Sequence, residues 1–201
     1  MADTTGPLTE TKVANMAGTT LDEEPITSLD DTGTFGVFCA ANFGPCRDEV
    51  LALHPWVFAK TRTTLTAHVD EPAFDWTYQY ELPADCIRML PLRCEGRWNA
   101  PIVPHEREGR MILTDECAPL KVQYIKRITN ISLWTPLAAR VLAEYIALLA
   151  AQRLTGKISY VDKATRLYMK ALNDASLANS LDYGTPEYVN EGDALTARLA
   201  G

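Results

Sequence analysis

Three histidines (His54, His68, His105) and five cysteines (Cys39, Cys46, Cys86, Cys94, Cys117) are the side chains best suited to ligate a metal or act as nucleophile and base. Their spacing argues against both uses. The cysteines are odd in number and scattered, without a Cys-x-x-Cys pair, whereas a zinc or disulfide framework needs clustered partners. Reduced core thiols, made in a reducing cytoplasm, are the expectation. The histidines fall in three different predicted elements, and His54 precedes Pro55 at a helix end, where a capping role is the simpler reading. No Gly-x-Gly-x-x-Gly, Walker loop, Gly-x-Ser-x-Gly elbow or His-Glu-x-x-His occurs.

The remaining chemistry-bearing groups read as structural. Asp48-Glu49, Asp70-Glu71 and Asp115-Glu116 are adjacent pairs, which point to opposite faces of a strand or about 100° apart on a helix. Neither arrangement makes an acid–base couple. Lys126-Arg127 is the only adjacent basic pair in the body of the chain and falls far short of a phosphate-tracking groove. Trp56, Trp76, Trp98 and Trp134 stand on separate elements and are expected to fill the core at helix–sheet junctions rather than to stack bases. The sequence therefore offers no catalytic, cofactor-binding or metal-ligating residue.

The elements that would position these groups are legible from periodicity. Residues 1–34 read as an acidic arm with one helical fragment, Val13–Ala17. A helix follows over 35–54, with Gly44-Pro45 expected to kink or break it. Residues 60–126 read as strand: Lys60–Val69, Trp76–Tyr80, Met89–Cys94, Arg97–Val103, Gly109–Thr114 and Lys121–Ile125, forming an antiparallel sheet of four to six strands. Thr135-Pro136 is an N-cap followed by proline at the first helical position, opening a helix over 135–155. Its apolar stripe is Leu137, Val141, Tyr145, Leu148 and Leu149, and Gly156 stops it. A second helix over 158–181, opened by Ser159-Tyr-Val-Asp162, carries Val161, Ala164, Tyr168, Ala171, Leu172, Ala175 and Ala178. The alanines make Ala164, Tyr168, Ala171, Ala175 and Ala178 a face for close helix packing, so the pair is expected to be antiparallel. From Asp182 to Gly201 the periodicity stops, leaving a polar tail that could dock a partner through Tyr183, Tyr188, Leu195 and Leu199.

Composition bounds the function. The 201 residues carry a net charge of −7, with 47% apolar and 22% charged residues, the mixture of an ordinary globular domain. No stretch approaches a membrane span, and the N-terminus lacks the build of a secretory signal. The charge is unevenly placed. Residues 1–34 carry −6 and residues 181–201 carry −3, which leaves the segment between them at +2. A near-neutral body with acidic ends is not a nucleic-acid gripping protein.

The order of segments is more informative than any one of them. An acidic lead-in, Leu21-Asp-Glu-Glu-Pro-Ile-Thr-Ser-Leu29, precedes a helix ending in His54-Pro-Trp-Val-Phe-Ala59. Then come the strand and turn Tyr78-Gln-Tyr-Glu-Leu-Pro-Ala-Asp-Cys-Ile-Arg-Met89, the hairpin Glu108-Gly-Arg-Met-Ile-Leu-Thr114, the strand Val122-Gln-Tyr-Ile125 and the alanine-rich helices. This order resembles the tail tubular protein A family, the head-to-tail adaptors of short-tailed, podovirus-type bacteriophages, over roughly residues 21–181. The resemblance implies an α+β fold, a helical bundle with a C-terminal antiparallel helix pair and an inserted antiparallel β-sheet domain. It implies a non-enzymatic virion protein of the neck or tail, assembled in the host cytoplasm without a cofactor. Its partners would be other copies of itself in a ring, usually of twelve, the portal protein, and a tail nozzle of the tail tubular protein B type. DNA would be a passing cargo during ejection. By the same resemblance, Asp182–Gly201 becomes a portal-docking tail.

Two other classes compete with the adaptor. A small cytoplasmic α+β enzyme would need a pocket gathering residues such as His68, Asp85 and His105 from separate strands. A non-viral interaction module would share the docking tail but not the ring. Three-dimensional separation of His68, Asp85 and His105 removes the enzyme in that form.

Overall fold

Thr135 and Pro136 begin a helix for the reason their chemistry gives. In the computed structural model, which describes residues 6–97 and 100–182, the Thr135 hydroxyl accepts the Ala138 N–H at 3.3 Å, and proline occupies the first helical position. Helix α3, Pro136–Ala150, continues as one π turn, Ala151–Thr155, and stops at Gly156, whose φ of 60° only glycine adopts without strain. Helix α4, Ile158–Leu181, then turns back against α3. It starts before Ser159, and Lys157 stands at its N-cap without a side-chain hydrogen bond, so the expected Ser159–Asp162 box is not used.

Helix α3 is buried on almost every side. Ala138, Ala139, Val141, Leu142, Ala143, Ile146, Ala147 and Ala150 are fully enclosed, while Leu137 is exposed and Tyr145, Leu148 and Leu149 are half-buried. The expected single stripe therefore gives way to an all-round core helix. The physical reason is size. Alanines let neighbouring backbones approach, and α1, α2 and α4 all pack on α3.

Residues 1–34, expected as an arm, contain helix α1, Glu10–Leu21, with Val13, Ala14, Ala17 and Leu21 buried against α3. Thr9 caps it by accepting the Lys12 N–H at 3.2 Å. The acidic lead-in is tied down by a two-point clamp. Asn15 donates to the Ile26 carbonyl at 2.9 Å and accepts the Ile26 N–H at 2.8 Å. Periodicity registered only the buried fragment because Glu10, Lys12 and the threonines dilute the apolar signal.

Helix α2, Thr34–Leu53, runs through Pro45 without interruption. Proline removes the bond to the Ala41 carbonyl, but both residues are exposed, so water can satisfy that group. At its start Gly36 has no freedom to be larger: a Cβ there would lie 2.6 Å from the Asp31 carbonyl oxygen. His54 ends the helix in extended geometry, as Pro55 requires.

The strands form two three-stranded antiparallel sheets rather than one sheet of four to six. The first is ordered β1–β6–β3 (Lys60–Leu65, Leu120–Lys126, Cys86–Met89), with Lys60 opposite Ile125 and a register shift between Cys86 and Arg88. The second is ordered β2–β5–β4 (Tyr78–Glu81, Met111–Thr114, Glu106–Glu108), closed by a two-residue turn at Gly109-Arg110. Of the expected strand over Arg97–Val103, the described residues, 97 and 100–103, form no ladder. Only Ile102 bridges, to Arg93, and Cys94–Gly96 is a 3-10 turn. The expected Met89–Cys94 strand lies earlier, at Cys86–Met89, because the Pro91 ring removes a ladder donor from the later stretch.

Two hydrophobic cores result. The larger joins the helices to Trp56, Ile125 and Trp134, and the smaller holds Tyr80, Leu82, Leu92, Val103, Ile112, Leu120 and Val122 between the strands. Strand β6 contributes to both. Trp56 and Trp134 fill the helix–sheet junction, as expected. Each donates its indole N–H to a carbonyl, of Val50 at 2.7 Å and of Ile128 at 3.2 Å. Trp76 is half-exposed and donates to Glu106 at 3.3 Å, and Trp98 lies outside the described residues.

Candidate functional site

The end of α2 and the end of α4 meet the first sheet at one place, and a cavity of about 410 Å³ opens there. His54 and Pro55 come from the end of α2, Lys60 from β1, Arg88 from β3, and Leu90, Pro91 and Arg93 from the segment after it. Gln123 comes from β6, and Asn179 and Ser180 from α4. Three cations and a histidine thus line a cavity whose described walls include no carboxylate.

Each wall is held by a specific bond. Asn179 is buried and works as a clamp between the two helix ends. Its Oδ1 accepts the Val57 N–H at 2.7 Å, while its Nδ2 reaches the Pro55 carbonyl at 3.2 Å and His54 Nε2 at 3.0 Å. Arg88 donates to the carbonyls of Ala52 and Leu53, at 3.2 and 3.3 Å. A guanidinium at a helix C-terminus meets the negative end of the helix dipole. Arg93 donates to the Ala100 carbonyl at 2.8 Å.

The electrostatics follow. Burial, and behind it the Arg88 charge, holds the His54 imidazole below its usual range. Burial, then the charges of Arg62 and Arg93, lowers the Lys60 ammonium. For both groups burial is the larger cause and the neighbouring guanidinium charge the smaller. A second cavity of about 450 Å³ adjoins through Lys60 and is lined by Val57, Thr61, Arg62 and Asp182.

Of the groups singled out from the sequence, His54 lines the first cavity, and most of the others lie elsewhere with local partners. His68 sits beside Asp70, His105 Nδ1 lies 2.7 Å from the Val103 carbonyl, and Asp85 accepts from Tyr124 at 3.0 Å and pairs with Lys126 at 3.3 Å. They form no shared arrangement. Arg127 pairs with Asp48 at 2.8 Å, so Lys126-Arg127 serves the local ion pairs of a strand end. Asp115 accepts the N–H and hydroxyl of Thr77, and Glu49 accepts from Tyr145. All five cysteines are free, but only Cys39 and Cys46 are core thiols, pushed up to about 12 and about 11 by burial. Cys86 is half-buried and Cys94 and Cys117 are exposed, which corrects the expectation of five core thiols.

On α4, Ala164, Tyr168 and Ala175 are buried in the larger core, with Ala171 and Ala178 half-buried. The Tyr168 ring lies 5.3 Å from that of Tyr145 on α3. This packing face is filled within the chain itself. Tyr183, Tyr188, Leu195 and Leu199 lie outside the described residues.

Sequence reading missed Lys60, Arg88, Arg93 and Asn179 because no spacing links them; only strand pairing and the return of α4 bring them together. It also missed Glu144, a buried carboxylate in the middle of α3. Glu144 Oε2 accepts from Thr20 of α1 at 3.0 Å. Its Oε1 lies 2.8 Å from Arg140 Nε, an ion pair outside directed hydrogen-bond geometry. The described residues contain no group of three or more His, Cys, Asp or Glu able to hold a metal ion, and no helix long and apolar enough to cross a membrane. Comparison with protein-family models and with curated proteins gave no match to this chain.

Proposed function

We propose that the chain is a structural subunit of a head-to-tail adaptor ring in a short-tailed bacteriophage, joining portal to tail nozzle and lining part of the DNA ejection path. In this reading the helices form the bundle, the strand segment is the inserted domain, and the subunit performs no catalysis.

The observation that supports it is the set of large apolar side chains left outside both cores. On α4, Ile158, Met169, Leu177 and Leu181 stand 55–78% exposed, on the side away from Ala164, Tyr168 and Ala175. At the opposite end of the fold's order, Val69 and Phe74 of the β1–β2 connection are 95% and 76% exposed. A ring made by rotation needs two different, mutually complementary faces on each subunit. Apolar residues on two separate elements supply candidates for both, and α4 still presents an outer face after its alanines are used internally. The net charge of −7 agrees with a conduit that DNA passes through rather than adheres to.

Electron microscopy of the purified chain mixed with its portal tests the reading. A ring stacked on the portal is expected. A monomer that ignores the portal at micromolar concentration would overturn it.

A further inference from the structure

Beside the start of α2 lies a cavity of about 630 Å³, apart from the two described above. Val37, Phe38 and Ala41 of α2 give it one apolar wall, and Arg153 and Leu154 give it the other. The second wall belongs to the π turn Ala151–Thr155, a widened form of helix that recurs at functional sites. Arg153 is exposed there and makes no hydrogen bond or ion pair with another described residue. The described walls hold no carboxylate, and Val37 stands 57% exposed.

The turn between β1 and β2 presents the opposite chemistry. Val69 and Phe74 stand in solvent among Asp70, Glu71 and Asp75, and residues 66–77 contain no Lys or Arg. His68, 3.6 Å from Asp70, is the only base in that stretch. The exposure is built into the turn. The His68 N–H donates to the Gln79 carbonyl at 2.8 Å, and Gln79 Nε2 donates to the Asp70 carbonyl at 2.8 Å, which ties the turn to β2. Asp75 adopts a left-handed φ of 68°, beyond which Trp76 reaches Glu106 while Phe74 stays outside. The donors to Glu106 and Asp115, from Trp76 and Thr77, are neutral and leave those carboxylates charged.

We infer that the 69–75 turn of one copy of the chain docks in this cavity of a second copy, with Phe74 against Val37, Phe38 and Leu154 and the carboxylates toward Arg153. The contact rests on the ring reading above and gives the Val69–Phe74 turn its recipient. Three arguments carry it. A cation without a partner, in walls without a carboxylate, faces a turn of three acids. An exposed aromatic ring, the kind of side chain that anchors interfaces, meets an apolar recess. The two surfaces are different, so the contact is head-to-tail and repeats from copy to copy, as a ring requires.

Photo-cross-linking of the full-length chain tests the contact, alone and on its portal, with benzoylphenylalanine in place of Phe74. Products of two-chain mass are expected, joining position 74 to residues 32–42 or 151–155, and mixed heavy and light chains show that the link runs between copies. In sedimentation, R153E and D70K/E71K/D75K should each weaken self-association at least about tenfold with an unchanged urea midpoint. An equal mixture of the two should recover it, because the lysine turn of one meets Glu at position 153 of the other. Products confined to one chain or landing elsewhere, no product at all, or reversals without effect in a folded chain each overturn the contact. A ring that forms on the portal without the cross-link removes this contact and leaves the ring reading standing. The cross-link without a ring overturns the ring reading alone.

Discussion

In the helical half, 29 buried residues form one core around α3, and most of those on α3 itself are alanine or aliphatic with no exposed surface. In the strand half, seven buried side chains are shared between two three-stranded sheets, and Val69, Phe74 and Ile102 stand in solvent. The difference teaches a division of labour. A core that scales with enclosed volume can hold the chain together and a small one contributes less, while both halves leave apolar side chains in solvent, Ile158, Met169, Leu177 and Leu181 of α4 among them. The cationic cavity lies on the boundary, where helix ends supply carbonyl anchors and strands supply the charges.

The largest test of this division is Trp56→Ala. The indole is 1% exposed and joins the helices to the first sheet, so its loss should cost about 3–5 kcal/mol in guanidinium unfolding. Ile112→Ala removes a fully buried side chain from the smaller core and should cost less, about 2–4 kcal/mol. Hydrogen exchange sharpens the contrast: amides of β2, β4 and β5 should open at lower free energy than those of α3. Equal costs and equal protection in the two halves would break the comparison.

The smallest effect is a pH dependence at the boundary. His54 binds its proton less readily when folded than its ordinary value of 6.5, so the unfolded chain takes up a proton that the folded chain refuses. Stability should therefore be fully present above about pH 6.5 and decline as pH falls toward the lower folded value. Urea midpoints at pH 7.5 and 5.5 measure this. A His54→Gln variant, which keeps an amide partner for Asn179, should show a smaller decline than the natural chain.

Local chemistry was legible where one short segment decides the outcome. Thr135-Pro136 and Gly156 marked α3 and its stop, Pro55 ended α2, and the strands β1, β5 and β6 fall within or overlap the expected segments, β1 ending at Leu65 rather than Val69. Legibility failed where partners are distant. The extent of α1 depends on its burial against α3, more than a hundred residues later. The stripe on α3 was misassigned because three neighbours, not one, cover it. The break considered at Pro45 does not form, because Ala41, whose carbonyl loses its partner, is exposed, which the sequence alone does not show.

For the candidate site, sequence set the ingredients and excluded the familiar alternatives, since recurring metal and nucleophile motifs have characteristic spacings that are absent here. It also determined the acidic ends and the near-neutral middle, because charge is a sum over residue types. Only the tertiary structure decided which cations share a wall. Lys60 and Arg88 meet across β6, and Asn179 arrives 119 residues after Lys60, by the return of α4. That return is fixed by alanine packing against α3, a long-range property that no local pattern around Lys60 encodes.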